Sequence, residues 1–265
     1  IHRLSPYRPN LSPMVKIAWT PRGRRQQLQQ FIQSRARQSG LVYVRSRRDG
    51  EALATWLQQQ GHSTVAYHAG LPASDRRQIE SDWRRGALPF VVSTSAFGMG
   101  IDKADVRWIV HFQPPMSLAE YVQEIGRAGR DGQPAEALML VSEPTGLLDS
   151  GDIQRQQIFL QDLRRQQSAA QRLARRLPKT GTVRSVTQHN PDGAIALALL
   201  HRQGRLTWQD PFRYRLKASK SRNYADLAQD SESMRRYLYT QDCRWQFLLR
   251  AFGFPEELAL GCGHC

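Results

Sequence analysis

Residues 123–132 read QEIGRAGRDG and combine one glutamine, two arginines and three glycines. If residues 117–130 form a helix, Gln123, Arg127 and Arg130 follow at intervals of four and three positions and share one face. Two guanidiniums held side by side match phosphate oxygens in shape and charge. In nucleotide hydrolysis, arginines from a neighbouring domain stabilise the charge that develops on the γ-phosphoryl group. These residues are therefore candidates for a nucleotide site.

The glycines of this stretch fit the same interpretation. Gly126 and Gly129 remove side chains beside the arginines, so that a ligand can approach the backbone closely. The competing interpretation is structural, with the two arginines paired to Glu124 and Asp131 on a solvated surface. For this stretch taken alone, the surface interpretation is the more common one.

A second candidate site comes from three cysteines near the C-terminal end, Cys243, Cys262 and Cys265. The last two have the spacing of a zinc knuckle, and Gly261 and Gly263 permit a tight turn there. An odd number of clustered cysteines without a secretory signal favours metal over disulfides, and a reducing compartment, cytoplasmic or nuclear. The alternative is three free buried thiols.

The charge of the chain indicates its class of partner. Its 265 residues include 38 Lys and Arg against 23 Asp and Glu, and the net charge is +15. So basic a chain favours a polyanion, nucleic acid, as partner. No apolar run reaches the roughly 18 residues of a membrane helix, so no membrane is expected. The chain starts without Met or a signal-peptide pattern, which suggests a piece of a longer protein.

The elements that must position these residues alternate between two kinds. Five short apolar runs predict buried parallel strands: residues 41–44, 63–68, 90–94, 106–112 and 136–141. Three segments between them have helical spacing, residues 47–61, 74–86 and 117–129, with Ser74 and Ser117 as expected N-caps. Alternating strands and helices predict an α/β fold with a doubly wound parallel sheet.

The rest of the chain divides into less regular parts. Residues 1–23 are rich in Pro and Arg and are expected to form a connector, followed by the α/β domain over 24–150. Residues 151–233 form a mostly helical insert: a long helix ended by Pro178, then either a small winged-helix-like unit or a plain helical hairpin. Aromatic residues between arginines at 208–215 weakly favour nucleic-acid contact. Residues 234–265 are expected to form a truncated zinc-binding module.

Three motifs, in order, together resemble a known family. They are SGLVYVRSRRDGEALATWLQQQGHSTVAYHAGL at 39–71, STSAFGMGIDKADVRWIVHF at 93–112 and QEIGRAGRDG at 123–132. FGMGIDK and QEIGRAGRDG in particular resemble RecQ-family DNA helicases of superfamily 2, over residues 7–145. The resemblance implies that residues 24–150 are a second RecA-like domain, the C-terminal part of the helicase core. It also implies unwinding in the 3′ to 5′ direction.

The resemblance also assigns roles around the nucleotide. It makes Arg130 the arginine finger and gives Arg127 a part in coupling the nucleotide to movement. Gln123 belongs to the same motif and is the third expected catalytic residue. Gly126 and Gly129 are placed at the nucleotide as well. Two residues of FGMGIDK join them: Gly100 would allow close backbone approach, and Asp102 would face the nucleotide.

Four residues are assigned to the nucleic-acid backbone by the same resemblance. Thr94 and Ser95 would supply hydroxyl groups, and Ser46 and Arg47 would contact a phosphate. The family usually has Cys-Asn before that Ser-Arg pair, whereas this chain has Val44 and Arg45, so the detailed geometry of the contact is open.

Two pieces of an ATP-driven motor are missing from the sequence. It has no Gly-x-x-x-x-Gly-Lys-Ser/Thr loop and no Asp-Glu-x-His box. Both belong to the first RecA-like domain of the family, so ATP with Mg²⁺ would need that N-terminal domain as partner, and this chain alone should not hydrolyse ATP. The alternatives are an RNA-remodelling superfamily 2 ATPase and a non-enzymatic nucleic-acid-binding module.

The resemblance extends to the cysteines. RecQ proteins resemble this chain in having a lone cysteine that opens a helix ending in FG, followed by a zinc-binding CxxC group. This implies Zn²⁺ at Cys243, Cys262 and Cys265, with a fourth cysteine expected three residues past Cys265. His264 is the less favoured alternative for the fourth ligand.

Overall fold

The computed structural model describes residues 5–36, 38–97, 103–217, 225–255, 261–263 and 265. The chain divides into two compact units. Residues 1–153 and 230–265 form the first, and residues 154–229 form the second. Within the described residues, no helix has the length and apolar character needed to cross a membrane.

A six-stranded parallel sheet is the centre of the first unit, in the order β1-β6-β5-β2-β4-β3. Its strands are Leu11–Ala18 (β1), Ser39–Tyr43 (β2), Ala66–Tyr67 (β3), Phe90–Ser93 (β4), Val106–His111 (β5) and Ala135–Ser142 (β6). The strands that were predicted from apolar runs are all present. Most of their residues are buried, as in a sheet covered on both faces.

Helices lie between the strands and pack on the sheet. They are Pro21–Gln33 (α1), Arg47–Gln59 (α2), Ala73–Arg84 (α3) and Leu118–Ile125 (α4). Apolar residues from strands and helices form two buried clusters, which contain Trp83 and Trp108 respectively. The predicted doubly wound parallel sheet is thereby confirmed.

Residues 11–18 differ from the sequence prediction, which placed them in a connector over 1–23. They form β1, an edge strand that pairs along its whole length with β6, from Leu11 opposite Ala135 to Ala18 opposite Ser142. The prediction failed because the strand contains Pro13 and Lys16 and lacks a continuous apolar run. Such residues are typical of edge strands, which carry backbone groups without a partner strand.

Two predicted helix boundaries also differ. α4 ends at Ile125 and Gly126 is its C-cap, so Arg127 and Arg130 lie in the following turns and not on a helix face shared with Gln123. Ser117 is the N-cap of α4 as expected, and its hydroxyl accepts the Glu120 N–H at 3.2 Å. Pro72, not Ser74, is the N-cap of α3.

Near the C-terminus, the helix Arg244–Phe252 (α9) belongs to the first unit. Trp245, Leu248 and Leu249 of this helix are buried. The Trp245 indole N–H donates to the Leu11 carbonyl at 2.8 Å, and its ring meets Tyr7 edge to face at 5.3 Å. α9 is therefore fastened to the start of the edge strand β1.

Helices and a small antiparallel sheet make up the second unit. The long helix Gly151–Ala174 (α5) leads into it and ends before Pro178; Thr180–Thr182 (β7), Val183–His189 (α6), Gly193–Arg202 (α7), Leu206–Asp210 (β8) and Arg213–Leu216 (β9) follow. The sheet order β7-β9-β8 excludes a plain helical hairpin. It is compatible with a winged-helix-like unit, which stays a prediction. The helix Ala225–Tyr239 (α8) follows.

Candidate functional site

The loop that contains Arg127 and Arg130 is built by main-chain hydrogen bonds to the start of β5. The Gly129 N–H donates to the Val106 carbonyl at 2.8 Å, and the Asp131 N–H donates to the Ala104 carbonyl at 3.3 Å. Arg127 and Arg130 line the same small pocket beside Leu41, Phe97 and Lys103. The structure thus brings the two arginines together by a loop, whereas the sequence predicted a helix.

Residues before β1 also hold this loop. The Arg8 guanidinium donates to the carbonyls of Gly126 and Gly129, and the Asn10 amide donates to the Gly129 and Gln133 carbonyls, both at 2.8 Å. Burial, and then the positive charge of Arg130, lower the pKa of Arg8. The sequence interpretation did not single out Arg8 or Asn10, because their partners lie more than a hundred positions away.

Gly129 is required by its backbone and its neighbours. Its φ is +59°, in the left-handed region, and a Cβ there would come 2.6 Å from the Asn10 amide nitrogen and 2.8 Å from the Gln133 carbonyl oxygen. The absent side chain therefore makes room for the chain itself. A role of Gly129 and Gly126 toward a nucleotide stays a prediction.

Tyr43 positions Arg127 from the end of β2. Its fully buried hydroxyl donates to the Phe97 carbonyl at 3.3 Å and is hydrogen-bonded to the Arg127 side chain. Burial is the main cause that raises the pKa of Tyr43, so the hydroxyl is neutral and can donate and accept at once. Arg127 is half-buried, whereas Arg130 and Gln123 are exposed.

The residues assigned to nucleic acid lie at the carboxyl ends of the strands. Ser46 and Arg47 follow β2, while Thr94 and Ser95 follow β4, which is the neighbour of β2. Ser46 is the N-cap of α2 and its hydroxyl oxygen accepts the Asp49 N–H at 3.0 Å. Arg47 and Ser95 are exposed and Thr94 is half-buried. The parallel sheet therefore places all four at one edge.

Arg45, the departure from the family pattern, connects this edge to α4. Its guanidinium pairs with Glu120 at 2.6 Å and with Glu124 at 3.1 Å. Its backbone N–H donates to the Gln113 side chain at 2.8 Å, and Gln113 donates in turn to Asp49 at 3.0 Å. The segment with Ser46 and Arg47 is thus tied to the helix that leads to Arg127.

Glu124 is the buried centre of this network. It accepts a hydrogen bond from His111 Nε2 at 2.8 Å as well as from Arg45. Burial raises the pKa of Glu124, but the His111 hydrogen bond and the Arg45 charge outweigh it, and the net pKa is lowered. Burial lowers the pKa of His111, which is fully buried, so we treat the imidazole as a neutral donor to an ionised carboxylate. The surface pairing of Glu124 with Arg127 or Arg130 that competed at the sequence level is not among these contacts.

Gly100 and Asp102 lie outside the described residues, as does His264.

The three cysteine sulfurs form one cluster at the start of α9. Cys243 and Cys262 are 3.4 Å apart, Cys262 and Cys265 are 3.0 Å apart, and Cys265 and Cys243 are 3.4 Å apart. The Cys262 N–H donates to the Cys243 sulfur and the Arg244 N–H to the Cys265 sulfur. Among the described residues, these are the His, Cys, Asp and Glu side chains grouped closely enough to hold a metal.

The chemistry of the cluster suits a soft divalent metal. Burial raises the pKa of the Cys243 thiol, but the backbone N–H groups of Gln246 and Cys262 and the neighbouring thiols lower it to about 7. Positive φ angles at Gly261 (+86°) and Gly263 (+73°) turn the chain so that the thiols converge. Thiolate sulfur is a preferred zinc ligand. The residues present therefore fit zinc.

Comparison with known proteins shows which helicases this chain is similar to. Residues 23–132 match the helicase conserved C-terminal domain. The "ATP-dependent DNA helicase RecQ" of Synechocystis sp. is 46% identical over 99% of this chain and 56% of the relative. The protein of the same name from Haemophilus influenzae is 41% identical over 50% of this chain and 21% of the relative. The chain corresponds to the C-terminal part of a RecQ-like helicase. It spans about half the length of the Synechocystis relative.

A solved structure supports the fold assignment for this RecQ-like chain. The structure described as S. cerevisiae Dbp5 bound to RNA and ADP BeF3 is similar with a TM-score of 0.50 and 20% identity, over 58% of this chain and 42% of that one. At this identity the likeness concerns the fold alone, which is RecA-like. The domain family, the relatives and the sheet together agree with the C-terminal part of a RecQ-like helicase.

Proposed function

We propose that this chain is the C-terminal half of the motor core of a RecQ-like DNA helicase that moves 3′ to 5′. Its ATP and Mg²⁺ site is completed by the N-terminal RecA-like domain of the same protein. Arg130 acts as the arginine finger, Arg127 helps to couple the nucleotide to movement, and Gln123 is the third residue of this catalytic motif. Gly100, Asp102, Gly126 and Gly129 border the nucleotide.

The observation that carries this proposal is that Arg127 and Arg130 line the same pocket. Main-chain bonds to β5 and side-chain bonds from Arg8 and Asn10 hold their loop, so the backbone that carries both arginines is in place before any ligand binds. Preorganised positive charge is what phosphoryl transfer needs. The proposed 3′ to 5′ direction of movement rests on the family resemblance.

The test is Arg130→Ala in the complete protein with ATP and single-stranded DNA. ATP turnover should fall by roughly a thousandfold, the scale for arginine fingers, while ATP binding changes little, because the guanidinium acts on transition-state charge. Arg77→Ala, which removes an exposed arginine of α3, is the matched control and should keep full turnover. Turnover of Arg130→Ala within a few-fold of the wild type would reject the finger assignment.

The DNA strand contacts Ser46, Arg47, Thr94 and Ser95 at the carboxyl edge of the sheet in this proposal. Unwinding of duplexes with a 3′ or a 5′ single-stranded tail tests the polarity. Competition between DNA and RNA of one sequence tests the substrate. Preference for RNA would favour the RNA-remodelling alternative, and binding without any ATP turnover by the complete protein would favour the non-enzymatic one.

Zinc is part of the same proposal, held by Cys243, Cys262 and Cys265 with one further ligand. The ion would clamp the start of α9 and so stabilise the fold of the module. Reduced thiols are required, so we place the protein in a reducing compartment, the bacterial cytoplasm or the nucleus.

A further inference from the structure

A groove of about 580 Å³ lies in the second unit, bordered by the end of α5, the turn that follows it and α6. Its size is in the range of sites that bind small organic molecules. Nothing in the motor proposal uses it, since the ATP and strand contacts lie in the first unit.

The rim of the groove is cationic. Arg172 on α5 and Arg176 in the turn after it are four positions apart, and both are exposed. Among the described residues, no Asp or Glu lines the groove. His189 adds a polar edge: its Nδ1 lies 3.1 Å from the Ser185 carbonyl, which can only accept, so Nδ1 carries the hydrogen and Nε2 remains for a ligand. Two guanidinium forks without a carboxylate favour a phosphate.

The floor of the groove has a different character. Leu173 and Leu177 are half-buried and Tyr214 is fully buried. The Tyr214 hydroxyl has no hydrogen-bond partner among the described residues, which is rare for a buried polar atom. Burial raises the pKa of Tyr214, so the hydroxyl keeps its proton. An apolar floor suits the flat face of a ring.

We propose that this groove binds a nucleotide, with the base on Leu173 and Leu177 and the phosphate on Arg172 and Arg176. The nucleotide can be a unit of a single strand or a free mononucleotide, since both present the same base and phosphate. The site gives residues 154–229 a binding function of their own, separate from the arginine loop.

The experiment measures equilibrium binding to the whole chain without ATP. A fluorescein-labelled oligothymidylate is titrated by fluorescence anisotropy, and thymidine monophosphate by calorimetry. The variant Arg172→Gln/Arg176→Gln is compared with Arg165→Gln/Arg175→Gln, which removes the same charge from exposed positions that do not line the groove.

The groove variant should bind the oligonucleotide roughly tenfold more weakly than the control variant. Its log–log salt slope should fall by about 1.4, the value for two lost phosphate contacts on a single strand. Saturable binding of thymidine monophosphate that the groove variant loses identifies a free nucleotide as the ligand; weakened oligonucleotide binding alone identifies the strand. Equal binding of both ligands by the groove and control variants would overturn the proposal.

The result is independent of the motor proposal. Arg47, Thr94, Ser95 and Arg130 are unchanged in these variants, and no turnover is measured. A chain with an inactive motor could still bind through this groove, and an active motor could lack it.

Discussion

Gly129 and Gly132 form a matched pair of positions in the arginine loop. Both have a positive φ, +59° and +80°, but only the first is surrounded by other atoms of the chain. Gly132→Ala should cost about 1 kcal/mol, the penalty for a side chain in the left-handed region. Gly129→Ala should cost about 3 kcal/mol, because the new Cβ also displaces Asn10 and the Gln133 carbonyl. Denaturant unfolding of the two variants gives the comparison, and equal losses would contradict the packing argument.

Tyr43 provides a second test at the scale of one atom. Tyr43→Phe removes the hydroxyl that joins Arg127 to the Phe97 carbonyl, and should cost about 1–2 kcal/mol of stability. Because Arg127 then loses one of the groups that hold it, ATP turnover of the complete protein should fall roughly tenfold or more. Tyr239→Phe, which removes a hydroxyl that donates to the Ser142 carbonyl, is the control and should leave turnover unchanged. Unchanged turnover in both would make Tyr43 a purely structural residue.

The network around α4 connects the arginine loop to the segment that contains Ser46 and Arg47. Glu124→Gln leaves the Arg45 guanidinium, whose side chain is 10% exposed, without its most buried partner. We expect a loss of about 3 kcal/mol, as for a broken buried ion pair. Glu136→Gln breaks the more exposed pair with Arg35 and should cost less than about 1 kcal/mol. Similar losses in the two variants would mean that burial of the network contributes little.

The Glu124 carboxylate makes the stability of the folded protein depend on pH. The pKa of Glu124 is lower in the folded protein than its usual value of 4.5, so the stabilisation is complete above that value and is lost as pH falls through the folded pKa. The acid limb of unfolding should therefore be less steep in Glu124→Gln than in the wild type. Thermal unfolding at a series of acidic pH values measures it, and parallel curves would contradict the assignment.

At the scale of elements, the sequence identified what is buried in the middle of the sheet. β2, β4, β5 and β6 are apolar runs, and such runs have few stable places other than a covered parallel sheet. The edge strand β1 was missed because its packing partners, β6 and Trp245, are distant in sequence. The end of α4 was placed too late, although Gly126 and Gly129 are typical of helix ends.

For the candidate site, the sequence likewise predicted the main groups of residues but not the contacts that hold them in place. The sequence indicated Arg127 and Arg130 as a pair and the three cysteines as a cluster, and the structure places the members of each group together. It did not indicate Arg8, Asn10, Tyr43 or the Arg45 network. These residues contact positions that are distant in the sequence, and the spacing of neighbouring residues does not predict such contacts.

The α9 module gives a prediction about metal. In a chain that extends past Cys265, zinc should approach one per molecule by atomic absorption. Cys243→Ser should lose the metal and expose residues 243–265 to protease, because zinc–thiolate binding contributes about 10 kcal/mol or more in small modules. Circular dichroism should show that the parallel sheet stays folded. A metal-free wild type with a protease-resistant C-terminal end would contradict the zinc proposal.

At the scale of the whole molecule, the net charge of +15 supports the proposed association with nucleic acid. Binding of single-stranded DNA should weaken steeply as salt rises, with a log–log slope of about −0.7 for each phosphate contact. Anisotropy titrations over a range of salt concentrations measure the slope. A flat dependence would mean that the basic surface is not the binding surface.

The position of β1 has a consequence for how the chain is made. Along the chain, β1 is the first and β6 the last strand of the parallel sheet, yet the two are neighbours in the sheet. During synthesis β1 must wait for its partner, and closing so long a loop slows folding. A waiting strand is a hazard because it can pair with other nascent chains. Pro13 and Lys16 reduce that hazard, since proline removes a backbone donor and lysine adds charge. Pro13 and Lys16, which made β1 hard to predict from the sequence, would thus protect it from wrong pairing until β6 is available.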